Sequence, residues 1–145
     1  MPTVSDQSDL PIVKIVSAVL DVYPDTQGIY LYGSYVTGDA QPDSDLDLAV
    51  LLPHAQARAS GLLYFSPLFQ RLCDLTGRQV DLINLRQTST VLGNQIVSFG
   101  RRIFVGDLYA CDEFEALNLS LYQKLNDERA QILADFLLTK RAYAV

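Results

Sequence analysis

The feature that most constrains this fold is a Gly-Ser pair followed, after ten intervening residues, by two aspartates with one leucine between them. The pair is Gly33-Ser34, and the acids are Asp45 and Asp47. Short runs rich in β-formers flank them, because residues 29–32 lead into the glycine and residues 46–52 begin between the acids. The sequence therefore predicts two strands whose ends carry a tight turn and a carboxylate pair.

The aspartate pair predicts a site for a divalent cation. Side chains two residues apart in a strand point to one face, with Cα atoms about 6.6 Å apart, so Asp45 and Asp47 are expected to converge. Their repulsion, about 2–3 kcal/mol at an effective dielectric of 20, would be relieved by a cation. Mg²⁺ is the expected ion, since it is usually held by one or two carboxylates together with substrate phosphates.

The Gly33-Ser34 turn predicts contacts with phosphate groups. Glycine lets backbone N–H groups approach phosphate oxygens closely, and the Ser34 hydroxyl adds a donor. Residues 35–38 are expected to form a short helix whose N-terminus faces the phosphates. Each fragment alone is common in ordinary turns, but all four fixed positions would match by chance in a chain of this length with a probability on the order of 0.002. Together they indicate a site for a nucleoside triphosphate and its metals.

A third acid, Asp81, interrupts the apolar run at residues 79–85. An aspartate between Val80 and Leu82 would face solvent in an ordinary half-exposed strand. If this strand lies beside the one that carries Asp47, the carboxylates share a face and form a two-metal site. Asp81 is then the candidate to orient and deprotonate an attacking hydroxyl.

These motifs resemble those of the minimal nucleotidyltransferases of the polymerase-beta superfamily. The resemblance runs from the Gly-Ser pair through Asp45-Leu46-Asp47 and Asp81, and the spacer residues Gly38 and Ser44 match its minimal prokaryotic branch. It implies an α+β fold of the polymerase-beta type, a small mixed sheet flanked by helices with a long C-terminal helix. It also implies nucleotide binding by Gly33, Ser34, Gly38 and Ser44, and catalysis and metal binding by Asp45, Asp47 and Asp81.

The same resemblance implies an activity and a partner. Members of this branch are often antitoxins encoded beside a HEPN-domain ribonuclease toxin, and they transfer AMP from ATP to a toxin tyrosine. The chain is therefore expected to be a Mg²⁺-dependent protein adenylyltransferase that uses two ions, takes ATP as substrate and forms a hetero-oligomer with its toxin. The nucleotide base, the number of AMP units, the acceptor and the stoichiometry stay open.

Three other functions stay open on the sequence. One is a small-molecule nucleotidyltransferase that modifies aminoglycosides, although 145 residues leave little room for additional substrate-binding structure. Another is an antitoxin that acts by steric binding alone. The third is a nucleic-acid polymerase or tRNA-modifying enzyme. The arginine that contacts triphosphate is also open among Arg78, Arg86, Arg101 and Arg102.

Composition predicts one globular domain over residues 1–145, with 49% hydrophobic and 19% charged residues. The net charge of −6 disfavours a nucleic-acid substrate and suits a small nucleotide and a basic protein partner. Neither a membrane span nor a signal peptide is recognisable, so a cytoplasmic location is expected. Cys73 and Cys111 predict neither a zinc site nor a disulfide framework, and His54 is expected in a loop without a catalytic role.

Periodicity predicts alternating helices and strands along the chain. A helix is expected from Pro11 to about residue 23, and another over residues 57–76, kinked or restarted at Pro67 and ended by Gly77. Thr88 or Ser89 is expected to cap a helix that ends at Gly100. The remaining predictions are strands at residues 28–32, 46–52, 80–85 and 102–105, and a helix from Asp112 to about Lys140 that packs on the sheet.

Overall fold

The structure, a computed structural model, describes residues 10–38, 40 and 44–143. Strands and helices alternate along most of this length, and two single 3₁₀ turns lie at Leu63–Phe65 and Leu85–Gln87. The strands are β1 (Gly28–Tyr32), β2 (Leu46–Leu51), β3 (Val80–Asn84) and β4 (Arg101–Val105). The helices are α1 (Ile12–Val22), α2 (Ser34–Thr37), α3 (His54–Ser60), α4 (Pro67–Thr76), α5 (Thr90–Phe99) and α6 (Leu108–Tyr143).

The four strands form one mixed sheet in the order β3-β2-β1-β4. Strand β1 runs antiparallel to both β2 and β4, whereas β2 and β3 are parallel. The starts of β2 and β3 therefore lie at the same end of the sheet as the end of β1. The predicted bounds of all four strands are confirmed to within one residue, and β4 lies at one edge of the sheet.

Helices cover both faces of the sheet because successive strand residues point to opposite sides. One face is apolar and packs on α1 and α4, with Leu31, Leu48 and Leu82 at its centre. The other carries Tyr30 and Ala49 and packs on α5 and α6. This second face also carries the acids discussed below.

The ends of α4 and α5 lie at the capping and helix-breaking residues that the sequence indicates. Pro67 occupies the first turn of α4, and the Ser66 hydroxyl accepts the Phe69 N–H at 3.4 Å, so the proline restarts the helix rather than kinking it. Gly77 ends α4 in the left-handed conformation, with φ of +65°. Ser89, not Thr88, caps α5 by accepting the Leu92 N–H at 3.1 Å.

The predicted helix over residues 57–76 is wrong in extent. It is divided into α3, a 3₁₀ turn and α4, because Gly61 adopts a φ of +57° that breaks the helical path. His54 is the first residue of α3 rather than a loop residue. Cys73 and Cys111 are free thiols. The segment Pro42-Asp43-Ser44-Asp45, whose composition would also suit an ordinary turn, begins outside the described residues.

Helix α6 is longer than predicted and packs on the sheet only through its first part. Ala110, Cys111 and Asn118 are buried, whereas Ile132 is 67% and Phe136 is 60% exposed. The expected packing of the whole apolar stripe is therefore wrong. Its 36 residues span about 54 Å, whereas five-residue strands span only about 17 Å, so the helix extends far beyond the sheet. No helix in the described ranges is both long and apolar enough to span a bilayer.

Candidate active site

Three polar side chains form a row across the end of the sheet. Tyr32 of β1 is paired with Asp47 of β2, and Asp47 is paired in turn with Asp81 of β3. Paired residues on neighbouring strands share a face, so the three side chains lie on the face that α5 and α6 cover farther along. The strands that carry Asp47 and Asp81 are therefore neighbours, which is the condition under which the sequence placed their carboxylates on one face.

Gly33 lies directly against the Asp47 carboxylate. A Cβ built on Gly33 would overlap the Asp47 Oδ2 atom and lie 3.1 Å from its Cγ. The backbone at Gly33 also has φ of +76° and ψ of −149°, a conformation that residues other than glycine rarely adopt. The backbone conformation and the close contact with Asp47 are therefore two independent constraints that require glycine here.

The three acids differ in their setting. Asp45 lies one residue before β2 and is exposed, whereas Asp47 and Asp81 are partly buried within their strands. The pKa of Asp47 is raised to about 6, chiefly by burial and then by the nearby charges of Asp81 and Asp45. Asp47 is thus the acid at which the negative charge is most crowded.

This donor set fits a hard divalent cation. Oxygen ligands suit Mg²⁺, and the crowded charge at Asp47 is what a cation would neutralise. No group of three or more acidic, histidine or cysteine side chains among the described residues is placed to ligate one ion together. Phosphate oxygens of a nucleotide, which commonly complete Mg²⁺ coordination, would therefore have to supply further ligands.

The remaining predicted contact residues lie around the turn after β1. Ser34 is the first residue of α2 and is partly buried. Gly38 ends that helix in the left-handed conformation, with φ of +86°, and nothing lies within 4 Å of a Cβ built on it. Ser44 is partly buried and precedes Asp45. The predicted short helix after the turn is confirmed, with bounds one residue earlier.

One polar member of the row was not predicted. The Tyr32 hydroxyl donates a hydrogen bond to Asp81 Oδ2 at 3.2 Å, and Tyr32 is only 8% exposed. A tyrosine in an apolar strand is ordinarily interpreted as a core residue, so the sequence pattern assigns Tyr32 no role in the site. The signal that could have found it is its position, immediately before Gly33.

The structure separates the four arginines. Arg86 lies just past the far end of β3, where its guanidinium donates to the Leu52 carbonyl and the Gln27 side chain. Arg102 is paired with Asp112 and Glu115 of α6.

The other two arginines lie at the end of the sheet that carries the acids. Arg101 begins β4 and is paired with Leu31. Arg78 lies two residues before β3, and its guanidinium is 5.2 Å from the ring centroid of Tyr35, the residue after Ser34.

Known proteins resemble this chain in sequence and in fold. Residues 14–108 match the family model for polymerase beta and nucleotidyltransferases. The chain belongs to this nucleotidyltransferase family. The fold class predicted from the sequence and the resemblance to this superfamily are confirmed.

One named protein and several solved structures are similar to this nucleotidyltransferase. Protein adenylyltransferase MntA of Shewanella oneidensis is 35% identical over 131 residues, which cover 90% of this chain and 91% of the relative. A crystal structure of a toxin-antitoxin with AMP-PNP matches with a TM-score of 0.70 and 34% identity, covering 88% of this chain and 99% of that chain. A structure of tri-AMPylated Shewanella oneidensis HEPN toxin in complex with MNT antitoxin matches with a TM-score of 0.63 and 32% identity, covering 87% and 95%.

Proposed function

We propose that this nucleotidyltransferase is an antitoxin that transfers AMP from ATP to a tyrosine hydroxyl of a cognate HEPN ribonuclease toxin. The observation that carries the proposal is the close approach of the Gly33 backbone to Asp47, with Asp81 alongside on the next strand. The similarity to a protein adenylyltransferase over 90% of the chain supports the choice of a protein acceptor over an aminoglycoside or a polynucleotide.

The residues divide into two groups by what they would contact. Gly33 and Ser34 would hold the β- and γ-phosphates of ATP, with Gly38 and Ser44 shaping the segment that follows. Asp45 and Asp47 would bind Mg²⁺, and Asp81 would complete the site for a second ion. When bound, the metal supplies neutralisation of the charge on the triphosphate and on the leaving pyrophosphate.

Asp81 is the proposed general base. The tyrosine oxygen of the acceptor bonds to the α-phosphorus of ATP, the bond from that phosphorus to the pyrophosphate oxygen breaks, and the phenol proton passes to Asp81. The protein contributes mainly by aligning the two substrates, as is usual in phosphoryl and nucleotidyl transfer. Neither histidine nor cysteine takes part.

Arg78 is the basic residue that we assign to the triphosphate. It lies at the same end of the sheet as Asp81 and contacts Tyr35. Tyr35 belongs to α2, the helix that directly follows Gly33. Arg86 and Arg102 are engaged elsewhere, at the far end of β3 and along α6. A guanidinium beside the turn would add a charge-assisted contact to phosphate oxygens.

The proposed partner accounts for the charge of the chain. A ribonuclease must itself hold RNA and therefore carries basic surface, which suits a chain with a net charge of −6. The two proteins would form a hetero-oligomer, and we place the activity in the cytoplasm, where ATP is available. The exposed second half of α6 leaves a purely steric antitoxin as the second candidate, because it offers apolar surface for binding.

One experiment separates the two candidates. The purified chain is incubated with ATP labelled at the α-phosphate, Mg²⁺ and the HEPN protein encoded beside it, and both label transfer and ribonuclease inhibition are measured. The Asp45→Ala/Asp47→Ala double variant should lose both while still folding. Asp25→Ala/Asp74→Ala, which removes two exposed acids that belong neither to the Gly33-Ser34 turn nor to the Asp45, Asp47 and Asp81 group, should keep both. Inhibition that survives in the first variant without labelling would establish the steric mechanism instead.

A further inference from the structure

Tyr32 makes an unusual connection across the sheet. Its strand, β1, does not touch β3, because β2 lies between them. The Tyr32 hydroxyl nonetheless reaches over the Asp47 position and donates to Asp81 Oδ2 at 3.2 Å. A polar group on one strand thus restrains an acid two strands away.

Asp81 needs such a restraint. Asp47 and Asp81 are direct register partners on parallel strands, and their charges raise each other's energy in a partly buried place. The terminal torsion of an aspartate is soft, so repulsion alone would rotate the Asp81 carboxylate away from Asp47. A hydrogen-bond donor fixed in the core opposes that rotation and leaves the other carboxylate oxygen available.

The donor is itself held firmly in place. Tyr32 is 8% exposed and belongs to the apolar cluster between the sheet and helices α5 and α6. A phenol is protonated at neutral pH, so its hydroxyl has a proton to donate to the Asp81 carboxylate.

We propose that Tyr32 is a positioning residue, which holds the Asp81 carboxylate beside Asp47 in the orientation that receives the acceptor's proton. The inference rests on the proposed adenylyl transfer and adds a residue to its machinery. It assigns no contact between Tyr32 and either substrate. The rate of transfer should therefore depend on the Tyr32 hydroxyl, whereas ATP affinity should not.

The chain provides a matched control one step along the same strand. Tyr30 lies on the same face of the sheet as Tyr32 and is 1% exposed. Its hydroxyl donates a hydrogen bond to the Glu115 carboxylate at 2.7 Å. Tyr30→Phe therefore removes the same chemical group and the same kind of hydrogen bond as Tyr32→Phe. Of these two tyrosines, Tyr32 is the one that donates to a proposed catalytic acid, Asp81.

The test compares the two phenylalanine variants with the wild-type chain. Thermal unfolding and ATP binding without transfer are measured first, followed by kcat and KM for ATP with the HEPN acceptor. Tyr32→Phe should lower kcat by about 10- to 100-fold, the range typical of lost supports to catalytic ligands, and leave KM and the ATP dissociation constant within about threefold. Tyr30→Phe should keep kcat within about threefold. The Tm should fall by a similar amount in both variants, because each loses one buried hydrogen bond.

Each outcome bears on a separate statement. A Tyr32→Phe enzyme as fast as wild type, with Tyr30→Phe equally fast, would overturn the positioning role while adenylyl transfer stands. Equal losses of kcat in both variants would also overturn it, because the effect would then be a general loss of core order. Failure of the wild-type chain to label the acceptor would overturn the proposed function, and the positioning role with it.

Discussion

Asp47 keeps its charge at a cost in stability. Its pKa in the folded chain is raised to about 6 from an ordinary value of 3.8, mainly by burial. The folded state therefore takes up this proton before the unfolded state does as the pH falls. The contribution of Asp47 to the free energy of unfolding is most favourable below about pH 4 and declines as the pH rises to about 6.

The first prediction follows from that sign. Without divalent cations, Asp47→Asn should match wild type near pH 4 and be more stable above pH 6. We expect a gain of about 1 kcal/mol, discounted from the full shift because the side chain is partly solvated. Urea unfolding in chelator across pH 4–8 measures it, and Asp25→Asn controls for net charge. A variant less stable than wild type at pH 7.5 would contradict the electrostatic account.

Gly33 supplies the second prediction at this scale. Gly33→Ala should destabilise the chain by about 2–4 kcal/mol and abolish transfer, because the new methyl group meets Asp47 in a backbone region closed to alanine. Gly61 has nearly the same backbone, with φ of +57° and ψ of −132°, but open space around it. Gly61→Ala should therefore lose only the backbone part, about 1–2 kcal/mol, and keep its activity. Equal activity losses would show that crowding at Asp47 is unimportant.

At the scale of elements, the strands were predictable because their apolar runs are short, and three of the four are bounded by glycine, proline or an acid. The break at Gly61 was missed because helical spacing of apolar residues continues across it and does not report its positive φ. Tyr32 was missed for a related reason. Its partner, Asp81, is 49 residues away and becomes a neighbour only through the sheet order.

Helix α6 shows the limit of periodicity most clearly. Three- and four-residue spacing of apolar side chains identifies an amphipathic helix but not what covers its apolar face. The first part is anchored by Arg102, which pairs with Asp112 and Glu115, and by Cys111 in the core. Beyond Tyr122 and Leu125, which are partly buried, every side chain from residue 126 to residue 140 is exposed.

The third prediction compares isoleucines on two helices. Ile96 of α5 is 0% exposed, so Ile96→Ala should cost about 2–4 kcal/mol of unfolding free energy. Ile132 of α6 is 67% exposed, and Ile132→Ala should change stability by less than about 0.5 kcal/mol. Chemical denaturation of the isolated chain measures both. A large loss at Ile132 would mean that the second half of α6 is packed in solution, as the sequence pattern had predicted.

At the scale of the whole molecule, the direction of the strands places Arg78 and Arg86 at opposite ends of the sheet. The sequence alone could not say which of them contacts the triphosphate. Strands β2 and β3 run in parallel, so the acids lie at their starts and Arg86 lies just past the end of β3. Burial lowers the pKa of Arg86, whose guanidinium nevertheless stays charged and bonded to Leu52, Gln27 and His54. Arg86 is therefore expected to act in stability and Arg78 in nucleotide binding.

The fourth prediction compares an arginine-to-alanine substitution at one end of the sheet with the same substitution at the other end. Arg78→Ala should raise KM for ATP about tenfold, the loss of one charge-assisted contact, and lower stability by less than about 1 kcal/mol through the lost Tyr35 contact. Arg86→Ala should leave KM unchanged and cost about 1–3 kcal/mol, because the Leu52 carbonyl and the Gln27 side chain lose their donor. Because both variants lose one positive charge, a change in net charge alone would affect KM equally in the two. The reverse pattern, with ATP binding lost in Arg86→Ala, would place the nucleotide at the other end of the sheet and remove the acids from the reaction.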